Sequence, residues 1–320
     1  MRNTLPLFAL AAVLLLCDRA ADAREIYVSN TAGDDGATGH HAESHHDRTG
    51  PVRTIAKALR LAEAGDRIVL ANTGKPYRES VSLVGRRHSG YSFQPLVIEG
   101  NGAVLDGSAR IPDGVWEHYR GAIFRFQPPR LEHQQVFLND RPAPRVYTGR
   151  PGGSVPELKP LEWCLLDEYL YFCVEPTKLP DDYTLSCADK RVGITLFHVR
   201  HVAILDLTLQ GFQLDGLNAF NSARNVRLAG LTCRGNGRSG ITVGGASLVE
   251  IEGCLVGNNG RAQLLSLPLS ETHIHHSELL GNTAAAWVDE GGRVYVGPKR
   301  VEGGLEEIKA QPPEGEPAKP

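Results

Sequence analysis

Between positions 199 and 288 the apolar residues recur every 23 or 24 positions. Val202, Val226, Val249 and Thr272 form one column, and Ile204, Leu228, Ile251 and Ile274 a second. Ile194, Leu217, Ile241, Leu264 and Trp287 form a third. Asn236, Asn259 and Asn282 recur in the turns. Each unit reads as two or three short strands separated by turns rich in Gly, Asn and Ser. Self-similarity at a fixed period of this size marks a solenoid. The units are too short for helix pairs and lack helical periodicity. What remains is a coil of strands, each turn stacked on the next at about 4.8 Å. The asparagine column reads as structural, because stacked Asn side chains hydrogen-bond along a solenoid and tolerate left-handed backbone.

Upstream, 25–29 reads as a strand and 31–51 as a polar loop. Ile55, Ala58, Leu59 and Ala62 have helical spacing, which predicts a helix over 54–64 with Thr54 as N-cap and Gly65 as its end. Strands are expected at 66–71, 81–84, 96–99 and 104–105. Residues 111–190 break the period. Their aromatic clusters (Trp116, Phe124, Phe126, Trp163, Tyr171, Phe172) and many prolines predict a β-rich insertion of hairpins beside the coil; an irregular flank is the other reading. The stretch 303–320 carries four prolines and four glutamates and reads as a flexible tail.

Residues 1–23 fall outside this pattern. Arg2, the apolar run from Leu5 to Leu16 and the small-x-small Ala21-Asp22-Ala23 predict a signal peptide, with a mature chain beginning near Arg24. The expected location is secreted or periplasmic. No later apolar segment is long enough to cross a membrane. The implied domains are 1–23, then cap and first coils at 24–110, insertion at 111–190, C-terminal coils at 191–290, and end strand with tail at 291–320.

A net charge of -3 points to neither nucleic acid nor membrane as partner. The 35 glycines suit tight coils with many turns. Cys233 aligns with Leu209, Val256 and Leu279, and Cys254 with Leu207 and Leu231, so both belong to interior columns. Cys164 and Cys173 flank a hairpin, where a cross-strand disulfide is an expectation; the pairing of Cys164, Cys173 and Cys187 stays open.

Tyr27-Val28-Ser29, the Gly/Asp-rich loop, Thr54-Ile55, Gly65-Asp66-Arg67-Ile68, Tyr77-Arg78-Glu79 and Leu105-Asp106-Gly107 resemble the opening of the pectate-lyase-like superfamily, secreted right-handed parallel β-helix proteins. The resemblance covers roughly 25–110 and 190–290. It implies an all-β, right-handed parallel β-helix with an N-terminal capping helix and a β-rich insertion. A cap is required physically, since the first coil would otherwise expose its core and an unpaired edge. The insertion looks like a segment seen in several β-helix proteins that act on glycans.

The same resemblance implies a groove along the strands that open with a Gly-hydrophobic pair, here Gly193-Ile194, Gly216-Leu217 and Gly240-Ile241. Stacked, they place Arg191, Leu214, Arg238 and Arg261 in one column and Val192, Asp215, Ser239 and Ala262 in the next, with Lys190 just before. Thr195, Asn218, Thr242 and Leu265 alternate to the outer face. A column of guanidiniums suits a carboxylate polymer, because arginine pairs bidentately with carboxylate. A uronate lyase needs one group to neutralise the substrate carboxylate and one base for the C5 proton. The catalytic candidates are therefore Arg238, Arg261 and Lys190, and the substrate-binding candidates Arg191, Asp215 and Asn218. The expected partner is an acidic polysaccharide bound by a monomer; the alternative is a non-catalytic glycan-binding or structural protein.

Departures from the family narrow this. Related polygalacturonases carry an Asp at the Asp215 position but need a further Asp pair, where this chain has Arg238-Ser239. Many related lyases use a lysine and an aspartate-rich calcium site. From Arg191 to Pro298 there is no lysine, and Asp206, Asp215 and Asp289 do not cluster, so no cofactor is expected and calcium is unsupported. His40, His41, Glu43, His45, His46 and Asp47 form a tract able to bind Zn²⁺ or Ni²⁺, although an exposed loop is the simpler reading. His273 and His275 read as a solvated face.

Overall fold

The computed structural model describes residues 23–44, 48–130, 132–148 and 152–309. The core of the molecule lies between parallel sheets. In the first, Glu25–Val28, Arg67–Leu70, Leu96–Asp106, Arg200–Gln210, Arg224–Ala229, Leu248–Glu252, Glu271–His275 and Arg293–Val296 lie side by side in parallel. Thr232–Arg234, Leu255–Gly257 and Glu278–Leu279 continue the later halves of the long strands. In the second sheet the parallel order is Val81–Val84, Ile194–Phe197, Asp215–Phe220, Ser239–Val243, Ala262–Ser266 and Ala285–Asp289. The chain alternates between the sheets, so each turn adds one rung to both.

The register follows the apolar columns. Ile204 pairs with Leu228, Leu228 with Ile251, and Ile251 with Ile274, all buried in one continuous core. Ile194, Leu217, Ile241, Leu264 and Trp287 do the same in the second sheet. The corners need left-handed backbone, which Gly adopts without a Cβ clash and Asn or Asp tolerates. One corner repeats at Asp206, Gly230, Gly253 and His276, all at positive φ. Asp206 is thus an exposed corner residue. The buried Asn236 and Asn259 stack as expected: the Oδ1 of Asn259 accepts from the Asn236 backbone N–H at 2.9 Å and from its Nδ2 at 3.0 Å. Asn282 departs from the column and pairs with the exposed Asn258 instead. The left-handed residues at these turns are Gly235 and Asn258, one position before the stacked asparagines.

The helix spans Ile55–Leu61, with Thr54 as its N-cap. The Glu79 carboxylate accepts the exposed N–H groups of Ile55 and Ala56 at 2.9 and 3.0 Å. Ile55, Ala58, Leu59 and Ala62 are buried against the first strands. The helix ends at Ala62, before Gly65, because Asp66 accepts the Glu63 N–H at 2.8 Å and draws the chain into a turn.

Residues 108–188 leave the coil between two consecutive rungs: Val81–Val84 pairs directly with Ile194–Phe197. They form two antiparallel four-stranded sheets with their own apolar clusters. Cys164 lies opposite Tyr171 rather than Cys173, and both thiols are buried and unbonded, so the expected disulfide is absent. Cys187, Cys233 and Cys254 are likewise free thiols. The tail reading also needs correction. Leu305 bridges Trp287 and Ile308 bridges Leu279 in antiparallel fashion, and buried Ile308 closes the last coil. The expected signal peptide, apart from Ala23, lies outside the described residues, as do His45, His46, Asp47 and residues 310–320. No helix among the described residues is long and apolar enough to cross a membrane.

Candidate functional site

The arginine column forms as the stacking requires. Leu214 N–H donates to the Arg191 carbonyl at 2.8 Å, Arg238 N–H to Leu214 at 2.8 Å, and Arg261 N–H to Arg238 at 2.8 Å. These residues open successive rungs of the second sheet.

Asp215 is the anchor of the site. It is completely buried, yet it accepts five hydrogen bonds. Its Oδ1 takes Arg238 Nε at 3.0 Å, Ser239 Oγ at 2.9 Å and Thr242 Oγ1 at 3.0 Å. Its Oδ2 takes Arg238 Nη2 at 2.6 Å and Asn218 Nδ2 at 3.0 Å. A buried carboxylate is tolerated only with this kind of compensation. The bidentate contact fixes the guanidinium plane of Arg238, and hydrogen bonding to Asp215 raises its pKa further above an already high value. About a quarter of the Arg238 side chain, 24%, stays exposed. Arg238 is therefore no free turn residue. Asp215, with every lone-pair direction engaged, serves to hold it and does not act as a base.

The other candidates lie around this pair. Arg191 is exposed and forms an ion pair with Glu132 at 3.2 Å. Arg261 pairs with Glu290. Asn218 donates to Asp215, and its Oδ1 is buried without a partner. Lys190 is half-buried; its backbone bonds Gly107 and Gln213, and no hydrogen bond or ion pair among the described residues joins its side chain to the cluster.

The insertion contributes what the sequence reading missed. Its segment 132–135 crosses the glycine turns of the coil. A Cβ on Gly237 would lie 2.2 Å from the His133 carbonyl oxygen and 2.6 Å from its Cβ, so glycine is what lets His133 seat there. Glu132 reaches back to Arg191, and Tyr147 forward to the carbonyls of Gly260 and Thr283 at 3.4 Å each. The insertion thus packs beside the rungs that carry the arginine column. The His133 ring is exposed and makes no side-chain hydrogen bond among the described residues. Surrounding protein, and then the nearby Arg238 charge, hold its pKa below the ordinary histidine value, with Asp215 and Glu132 acting in the opposite sense. Nothing in the sequence spacing joins His133 to Arg238; only the docking of the insertion does.

A calcium site does not fit. Asp206 and Asp289 are exposed at separate corners, Asp215 is saturated, and no three His, Cys, Asp or Glu side chains converge on a metal-sized gap among the described residues. His40 and His41 gather no such group there either. His273 stacks on Tyr295 at 4.7 Å and bonds Glu271 at 3.0 Å, on the outer face of the first sheet, away from the groove.

No family model matches the chain, and no curated protein matches it in sequence. Among solved structures, a glycoside hydrolase is similar with a TM-score of 0.59 and 13% identity, over 80% of this chain and 73% of that one. A lacto-N-biosidase from Eubacterium ramulus gives 0.42 at 13% identity, over 79% of this chain and 40% of that one. A pectate lyase gives 0.31 at 13% identity, over 79% and 62% respectively. The first likeness shows a shared fold; the other two are too distant to carry an argument.

Proposed function

We propose that the chain is an exported, carbohydrate-active, right-handed parallel β-helix protein with its helix as the cap. In this reading it acts as a monomer on a uronate-containing polysaccharide laid along the second sheet, and cleaves it by elimination. One observation carries the reading: His133, whose imidazole makes no hydrogen bond among the described residues, is seated by its backbone against Gly237, the residue before Arg238, whose guanidinium plane Asp215 fixes. Arg238 meets the substrate carboxylate and so acidifies the C5 proton. Neutral His133 takes that proton. The C5–H electron pair becomes the C4–C5 double bond, the C4–O bond breaks, and the leaving oxygen takes a proton from solvent. Arg261, Arg191 and Lys190 supply the cationic edge along which further sugars lie. The fold shared with a glycoside hydrolase supports a carbohydrate-active protein without selecting the reaction.

The test is incubation with pectate, alginate and glycosaminoglycans, read as ultraviolet absorbance of an unsaturated uronate. The acid limb of kcat/KM should have its midpoint below the free-histidine value of about 6.5, because the pKa of His133 is lowered and the base works when neutral. His133→Gln should lose activity on the order of a hundredfold or more. New reducing ends without absorbance would mean hydrolysis and sink the elimination step. A second reading, a binding protein without turnover, is favoured by Glu132 and Glu290 already neutralising Arg191 and Arg261. Binding without any product would select it.

A further inference from the structure

Among the described residues, one guanidinium of the insertion has no carboxylate partner. Arg145 lies between two rings, 4.7 Å from the Tyr147 centroid and 4.9 Å from that of Trp163. Trp163 is fully buried and its Nε1 donates to the Ala143 carbonyl at 3.1 Å, so that ring is fixed. Tyr147 is exposed. Arg145 Nη1 reaches the Gln134 carbonyl only at 3.4 Å. Its Nε is buried without a partner, and so is the Oε1 of fully buried Gln134. Burial lowers the Arg145 pKa, and no carboxylate acts to raise it. In this it differs from Arg191, Arg238 and Arg261, each of which has its acid.

A cation drawn out of water without a counter-charge is destabilising. The two ring faces offset part of that through cation–π attraction. They do not satisfy the in-plane N–H groups, which are the ones that bind oxyanions. The position matters as much as the charge. Gln134 follows His133 in the chain, and Tyr147 touches the turns that open the rungs Ala262–Ser266 and Ala285–Asp289. Tyr147 therefore stands one to two rungs beyond Arg238 along the coil, about 5–10 Å at strand spacing, with Arg145 against its ring.

We propose that Arg145 and Tyr147 form a second anion subsite, which takes the carboxylate of a neighbouring sugar in the chain held by Arg238, with that sugar's ring against Tyr147. This rests on the groove being a uronate-binding site, and it adds a requirement: the ligand is an oligomer carrying more than one carboxylate.

The experiment is calorimetric titration with uronates of defined length, monomer against dimer, for the wild type, Arg145→Gln and Tyr147→Ser. A second arm measures melting in inorganic sulfate. The wild type should prefer the dimer by about tenfold or more, the worth of one charge-assisted contact, and both variants should flatten that preference. Sulfate should raise the wild-type melting temperature and leave that of Arg145→Gln less affected. Tyr147 is exposed, so its variant keeps the test decisive if Arg145→Gln fails to fold. Unchanged length preference in both variants would overturn the subsite. If the wild type binds no oligouronate while the sulfate effect still depends on Arg145, the groove reading has failed, and the polysaccharide assignment of this subsite falls with it.

Discussion

Asp215, expected to bind substrate, spends its carboxylate on its neighbours. Its carboxylate is dry, takes five donors and fixes Arg238. Asp215→Asn keeps the shape but removes the negative charge and turns one acceptor into a donor facing donors. We expect a loss of about 2 kcal/mol in urea unfolding, less than for a fully dry pair because Arg238 is partly exposed. Activity should fall as well, through a loosened Arg238. Charge reversal at Arg238 would set a second carboxylate beside Asp215 and disturb the fold, whereas the same change at exposed Arg261 should not. The sequence let Asp215, Arg238 and Arg261 be placed in the right columns, since register is a matter of period. It could not show that Asp215 is consumed by Arg238, nor bring His133 to the site, because both depend on side-chain packing across coils and across the insertion.

At the scale of elements, apolar patterning located the strands and the helix, and it failed where single contacts decide. The helix stops at Ala62 because Asp66 captures the next N–H, and residues 305–308 join the last coil because Leu305 and Ile308 pair onto it despite neighbouring glutamates. The helix is tied to the coil by His88. Its Nδ1 accepts the Val84 N–H at 3.0 Å and its Nε2 lies 3.0 Å from the Leu59 carbonyl, so the ring is neutral with both nitrogens engaged. Burial lowers its pKa below the ordinary 6.5. Below about pH 6.5 the unfolded chain binds a proton that folded His88 does not, so stability falls as pH drops through that value toward the folded pKa. The slope from this residue approaches about 1.4 kcal/mol per pH unit. In His88→Gln that part of the acid dependence should vanish, measured as urea unfolding at a series of pH values; an identical acid slope in the variant would show that His88 is not its source.

At the scale of the whole molecule, the proposed activity needs the insertion and the coil to act as one body, and buried Asp106 lies where they meet. It accepts the Ser108 N–H at 2.7 Å, at the entrance to the insertion, and Gln210 Nε2 at 2.9 Å, one rung along the coil. Arg78 reaches it at 3.2 Å and also meets Ser108 and Asp140, while Arg234 continues the row by donating to Gln210 at 2.9 Å. Glu132, His133 and Tyr147 are held at the coil by such docking, since the 132–135 segment packs on it through glycine turns rather than through covalent continuity. Asp106→Ala removes a buried acceptor from Arg78 and Gln210; because Arg78 is half-exposed and keeps Ser108 and Asp140, and Gln210 keeps the Asp140 carbonyl, the cost should be about 1–2 kcal/mol. The coil columns are untouched by that change, so the rungs should persist while the insertion loosens. We expect limited proteolysis to cut first within 108–188, glycan turnover to fall with His133 displaced, and the far-ultraviolet β signal to remain. Uniform loss of structure, with no early cleavage in the insertion, would mean that Asp106 supports the coil itself rather than the joint.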